Sequence, residues 1–166
     1  MNENNRQNEN DVLYTEWVPV GKFFKIIVLC VFVSILSIGI ILTALQPIEM
    51  SLVGILLGVV SLIIYLFYYN YRGLKVFITK RLLGVDYGAF NHKRILLNMI
   101  IDCGVVKARF RTFGGVGIRL GLDGSWAYNT DFGDAVKLTL KDKRPFVFTT
   151  RNPQKICSLI NELSNS

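Results

Sequence analysis

The chain has 166 residues, 51% of them hydrophobic, with a mean hydropathy of +0.39 and a formal net charge of +7. That apolarity is concentrated in the first half, which excludes a uniformly soluble globular chain. A single histidine excludes a histidine-based metal cluster, and three cysteines without a C-x-x-C pair give no zinc or dithiol motif, so no metal and no cofactor are expected.

The chain opens on MNENNRQNENDVLYTEW, rich in Asn and Glu. Residues 1–21 read as a polar N-terminal tail, irregular to about residue 10. Ile26 to Leu45 then reads IIVLCVFVSILSIGIILTAL, 20 residues without a charge. A helix of that length is about 30 Å long, the hydrocarbon thickness of a bilayer. Met50 to Tyr69, MSLVGILLGVVSLIIYLFYY, is a second such stretch. Residues 22–71 are therefore predicted to form a two-helix transmembrane anchor, with spans over 26–45 and 50–69. A cleaved signal peptide is rejected for the first span, because it follows a long polar lead and no small-x-small pattern precedes the second.

Gln46-Pro47-Ile48-Glu49 leaves room only for a tight connection, so the spans should form an antiparallel hairpin with both termini on one side. Lys22 and Lys25 precede the first span, Arg72 and Lys75 follow the second, and the connection carries only Glu49. The positive-inside rule then predicts a multi-pass plasma-membrane protein with both termini cytoplasmic. Trp17, Phe23 and Phe24 at the entry and Tyr65, Tyr68, Tyr69 and Tyr71 at the exit fit an aromatic belt at that interface. Three cysteines without a C-x-x-C pair suit a reducing cytoplasm.

Residues 72–166 are predicted to be one cytoplasmic domain. From Arg72 onward 16 Lys and Arg face 7 Asp and Glu, while residues 1–71 hold 3 against 5, so the basic surplus belongs to this domain. Its composition predicts strands over Lys75 to Thr79 and Leu82 to Tyr87, with Asn91-His92-Lys93-Arg94 as a polar turn holding an exposed histidine. Ser125 to Tyr128 reads as another strand. Ala135 to Leu140 alternates apolar and polar residues, and Asp142-Lys143 turns it into Phe146 to Thr150 as a hairpin. Asn152-Pro153 is a helix start, after which Ile156, Leu159, Ile160 and Leu163 fall at i, i+3, i+4 and i+7. Several strands and one amphipathic terminal helix predict a small barrel or sandwich covered by that helix.

The stretches GLKVFITKRLLGVDYGAF, FGGVGIRLGLDGSWAYN and AVKLTLKDKRPFVFTTRNPQKICSLINEL together span nearly everything after Tyr71. In these stretches the chain resembles the bacterial and archaeal membrane proteins that carry a pleckstrin-homology-like (PH-like) domain behind a two-helix anchor. The resemblance implies a mainly-β barrel of seven strands closed by a C-terminal helix, without enzymatic activity.

Phe113 to Gly124 packs glycines at 114, 115, 117, 121 and 124. A dinucleotide fingerprint needs G-x-G-x-x-G on a strand-to-helix turn, and here the third glycine falls one place late and a strand follows. No Gly-Lys-Ser/Thr is present for a Walker loop. The glycines are therefore read as serving bulges, left-handed turns or close strand approach. Arg119 among them either meets a rim of carbonyls or an anionic partner. Asp123, Asp131 and Asp134 are read as turn residues and not as a catalytic carboxylate pair.

Two constellations carry the functional reading. Lys107, Arg109 and Arg111 alternate with Ala108, Phe110 and Thr112, so on a strand they would form a row of three cations, either a solvated face or a contact for anionic lipid headgroups or an acidic partner. Arg72 and Lys75, with Lys80 and Arg81, add charge near the membrane exit. In the second span Gly54, Gly58 and Ser61 form a small-residue face that either packs within the hairpin against Ser34, Ser37 and Gly39 or drives oligomerisation. Nucleic acid is not an expected partner, since no recognition helix, zinc module or interleaved exposed aromatics accompany the charge. The sequence thus predicts a non-enzymatic membrane-anchored module that binds anionic lipid or a protein partner. The alternative is an accessory subunit of a larger membrane complex, assembled through the hairpin.

Overall fold

The computed structural model describes residues 12–45 and 48–164, so the predictions for the first 11 residues and for the Gln46-Pro47 connection lie outside the described residues. The first element is a strand, β1 (Val12–Pro19), where the sequence predicted tail. It pairs antiparallel with β2 (Gly73–Thr79), Pro19 facing Gly73 and Trp17 facing Lys75. Two helices, α1 (Lys22–Leu45) and α2 (Ile48–Asn70), are inserted between these paired strands. The chain divides accordingly into one unit of Gly21–Arg72 and another built from the described parts of Met1–Val20 and Gly73–Ser166. The β unit therefore extends the expected 72–166 by a strand from the far side of the insertion.

The helical unit is an antiparallel pair, and both helices are long and apolar enough to cross a membrane. They meet where side chains are smallest. A Cβ on Gly54 would collide with Thr43 Oγ1 and lie 2.7 Å from the carbonyl oxygen of Gly39, while one on Gly39 would lie 3.0 Å from the oxygen of Gly54. Ser61, buried, donates to the carbonyl of Phe32 at 3.5 Å. The face of α1 that meets Gly54 is thus Gly39 with Thr43. Ser34 and Ser37 are exposed, and Ser37 returns its hydroxyl to the Val33 carbonyl at 2.7 Å, one turn back, which corrects the expected matching face.

In the β unit, β1 and β2 continue into β3 (Leu82–Tyr87) and β4 (Asn91–Leu96) as a four-stranded antiparallel meander in sequence order. The alternation sets its two faces. Leu74, Val76, Ile78, Leu83, Val85, Tyr87 and Ile95 point inward and are buried. A short 3-10 turn, Leu97–Met99, leads into β5 (Ile100–Ala108), and a one-turn helix, α3 (Phe110–Phe113), follows. Then come β6 (Gly117–Leu120), β7 (Trp126–Asn129), β8 (Gly133–Leu140), β9 (Phe146–Thr149) and the terminal helix α4 (Pro153–Ser164). These strands form a second sheet in the order β5-β8-β9-β7-β6, in which β7 and β9 run parallel. The nine described strands stay in two separate sheets, so the expected seven-stranded closed barrel is not formed.

On the inward face of the second sheet Val136, Leu138, Phe146 and Phe148 are buried, and α4 lays Ile156, Cys157 and Ile160 along its β5–β8 side. Each large apolar side chain so buried contributes roughly 1.5–3 kcal/mol. On the opposite face Phe113 packs with Ala108, Ala127, Ala135 and Val147 in a smaller cluster.

Two further expectations are corrected. Asn91 to Arg94 is strand and not turn, because its residues continue the meander opposite β3. Cys103 on β5 and Cys157 on α4 are joined in a disulfide with their Cα atoms 5.4 Å apart, so only Cys30 is a free thiol. A pair of this kind is not what a reducing compartment favours, so it stands against that expectation.

Candidate functional site

The three expected cations do not form one strand face. Ala108 lies opposite Gly133, the first residue of β8, and beyond it β5 has no partner to continue the ladder. The chain leaves the sheet at Arg109, turns through α3 and buries Phe113, and Gly114 closes the helix in the left-handed region at φ 68°. Lys107 is therefore on the strand, Arg109 is extended at the helix start and Arg111 is helical. They still share one edge of the unit, all exposed, with no ion pair to a carboxylate among the described residues. Beside them Phe110 and Phe132, 66% and 45% exposed, meet edge to face with ring centroids 5.9 Å apart.

The other expected contacts fall elsewhere. Arg119 is on β6, at the opposite edge of the second sheet, and donates through Nε to the carbonyl of Val116 at 3.3 Å. Arg72 lies over the Tyr69 ring at 4.5 Å within the helical unit. Lys75 points outward from β2, with its ammonium 5.9 Å from the Phe77 ring. Arg94 stacks on that same ring at 4.8 Å and reaches Asp86, whose Oδ1 also meets His92 Nδ1 at 2.9 Å, so the single histidine belongs to a polar cluster on the outer face of the meander.

The glycine-rich segment serves backbone and packing. A Cβ on Gly121 would lie 2.8 Å from the Phe113 ring and 3.0 Å from Ser125 Oγ. Asp123 shapes the next turn, accepting from Ser125 N at 3.2 Å and Ser125 Oγ at 2.6 Å, and its other oxygen accepts from Lys137 Nζ at 2.6 Å. The Lys137 contact, then the Ser125 hydroxyl, hold its carboxyl down at about 2.

Two arrangements escape sequence reasoning. Glu16, on the inner face of β1, accepts from Thr150 Oγ1 at 2.6 Å and from the backbone N–H of Arg151 at 2.9 Å, with Asn152 Nδ2 at 3.5 Å. It thereby fastens the first strand to the corner that starts α4. The second is a cleft of about 310 Å³ between the sheets, lined by Asn91 and Lys93 of β4, Ile118 of β6, Trp126 and Tyr128 of β7 and Phe146 of β9. Burial is the main cause that raises the Tyr128 hydroxyl above its ordinary pKa, with the charge of Asp86 adding to it. No sequence signal marks this cleft, because the register of β4 alone turns Asn91 and Lys93 inward. Comparison with protein-family models, curated proteins and solved structures finds no match to this chain.

Proposed function

We propose that the chain is a non-enzymatic, membrane-anchored binding module with a PH-like β unit that contacts anionic lipid headgroups at the cytoplasmic membrane surface. The observation that carries this reading is the group Lys107, Arg109 and Arg111, exposed and set beside the exposed Phe110–Phe132 pair. Cations next to exposed aromatics suit an interface where charge meets headgroups and rings meet the acyl boundary. Near an anionic surface each cation contributes about 1 kcal/mol. The four-stranded meander followed by a second sheet and a terminal helix supports the PH-like reading, while the open sheets depart from it.

The test uses the full chain in nanodiscs, because a fragment from residue 73 would lack β1. Amide exchange across Lys107 to Phe113 should slow in anionic discs relative to neutral ones, and the difference should vanish at high salt. Changing Lys107, Arg109 and Arg111 together to Glu should abolish it. Equal exchange in both discs would sink the lipid reading and leave a protein partner for the same surface.

The cytoplasmic orientation rests on Lys22, Lys25, Arg72 and Lys75. The Cys103–Cys157 bond pulls the other way, since disulfides persist mainly in oxidising compartments. Trypsin added to intact cells should spare the β unit and cut it only after permeabilisation; cutting in intact cells would invert the topology.

A second reading, assembly into a larger membrane complex or a homo-oligomer through the hairpin, is favoured by Gly58. A Cβ there meets nothing within 4 Å, and Gly58 lines a hollow of about 290 Å³ with Leu36, Gly39, Ile40, Thr43, Ala44 and Gly54. A small-residue surface of this kind admits the close approach of a third helix.

A further inference from the structure

Lys93 occupies an inward position. It lies on β4 opposite Val85, between Asn91 and the buried Ile95 in the row that faces the second sheet. Its ammonium stands 5.9 Å from the Phe146 ring, and no ion pair joins it to a carboxylate among the described residues. Lys93 is half-buried at this inward position, where core-facing strand residues otherwise are apolar, and its ammonium is left without an anionic partner.

The surroundings define what would complete the site. β4 ends the first sheet and β6 ends the second, so both strands bordering the cleft have a neighbour on one side only. On β6 and β7 the cleft-side row is Ile118 and Leu120 opposite Tyr128 and Trp126. Leu120 and Trp126 remain 52% and 43% exposed, since α4 packs at the far side of the sheet, against β5 and β8. A free strand edge offers unpaired backbone groups in extended register, and the cleft offers apolar walls with one cation.

We propose that this cleft binds an extended, acidic segment of a partner protein, which adds as a strand beside β6 and sets alternate side chains into the cleft. One of these is a carboxylate that meets Lys93; its neighbours two positions away are apolar and pack on Ile118, Leu120 and Trp126. The period of two along a strand matches the two rows of the cleft. The charge sign follows from Lys93 and the general basic surplus of the chain. This site is separate from the Lys107–Arg111 surface, and its test does not depend on lipid binding.

Random decapeptides displayed on phage are selected on the full chain in neutral nanodiscs, with empty nanodiscs as the counter-selection. The expected winners alternate aliphatic or aromatic residues with one Asp or Glu in the inward set. A synthetic copy of the best peptide should shift the emission of Trp126 in a Trp17→Phe background. Lys93→Met, which keeps much of the side-chain volume, should weaken its binding roughly tenfold or more. Leu120→Glu, at an exposed position that tolerates a polar residue, should weaken it as well. An empty selection, winners without an acidic residue, or affinity unchanged in both variants would overturn the proposal. Winners whose binding is abolished only by Lys107→Glu would overturn it too.

Discussion

At the scale of residues, the most consequential contacts join side chains that the sequence keeps apart. Asp123 illustrates the chemistry. Its folded pKa, about 2, lies below the ordinary 3.8, so the ionised carboxylate favours the folded state. That contribution is complete above pH about 4 and is lost as pH falls through about 2. Denaturant melts of the Asp123→Asn variant should therefore show a shallower loss of stability between those pH values than the native chain, and parallel curves would contradict the assignment. Asp123 was legible as a turn residue because glycine flanks its turn, but its partner Lys137 was not, because it arrives from another strand. Arg119 was legible only as an alternative, and its Nε meets the Val116 carbonyl three residues back. Glu16 carries no pattern in its polar stretch, and Lys93 reads only as one residue of a polar turn. Only the register of β1 and β4 turns them inward.

At the scale of elements, legibility follows how local the pattern is. β2, β3, β8, β9 and α4 stand where alternation, turn residues and the Asn152-Pro153 start predicted them, because those signals are complete within each segment. β4 was hidden because Asn91 and Lys93 occupy its inward row and His92 and Arg94 its outward one, which leaves no apolar alternation to see. α3 was hidden because Lys107 to Thr112 alternates as a strand would, while the end of β8 deprives it of a partner. The helix pair separates two roles that the small-residue face of α2 combines in one stretch. Gly54→Leu should disrupt hairpin packing and lower thermal stability in detergent, whereas Gly58→Leu should leave the isolated hairpin intact and change only the mass of an assembly. Equal effects from both would refute that division. The disulfide fastens α4 to β5 across a separation of 54 residues. By loop-closure entropy, Cys103→Ser should cost about 2–4 kcal/mol in denaturant melts run without reductant. A smaller loss, or none, would mean that Ile156 and Ile160 suffice to hold the helix.

At the scale of the whole molecule, the arrangement is a β unit interrupted by a helical hairpin between two neighbouring strands. Pro19 and Gly73 are register partners, so the two ends of the insertion leave the β unit side by side. Removing residues 20–72 and joining Pro19 to Gly73 through Asn-Gly should convert the junction into a tight two-residue β-hairpin turn. The product should be a soluble, folded unit whose α4 still carries the Cys103–Cys157 bond; an aggregating or unfolded product would show that the helices are needed for folding. The sequence by itself determined the two apolar helices, the basic surplus outside them, most of the strands and the terminal helix. These depend on runs and periods of side-chain chemistry that any window of the chain displays. Tertiary structure alone decided that β1 belongs to the β unit, that two sheets stay open, that two cysteines meet, and that a lysine faces a cleft. Each of these depends on which distant segments lie together, and pairing across 53 intervening residues between Pro19 and Gly73 leaves no local trace.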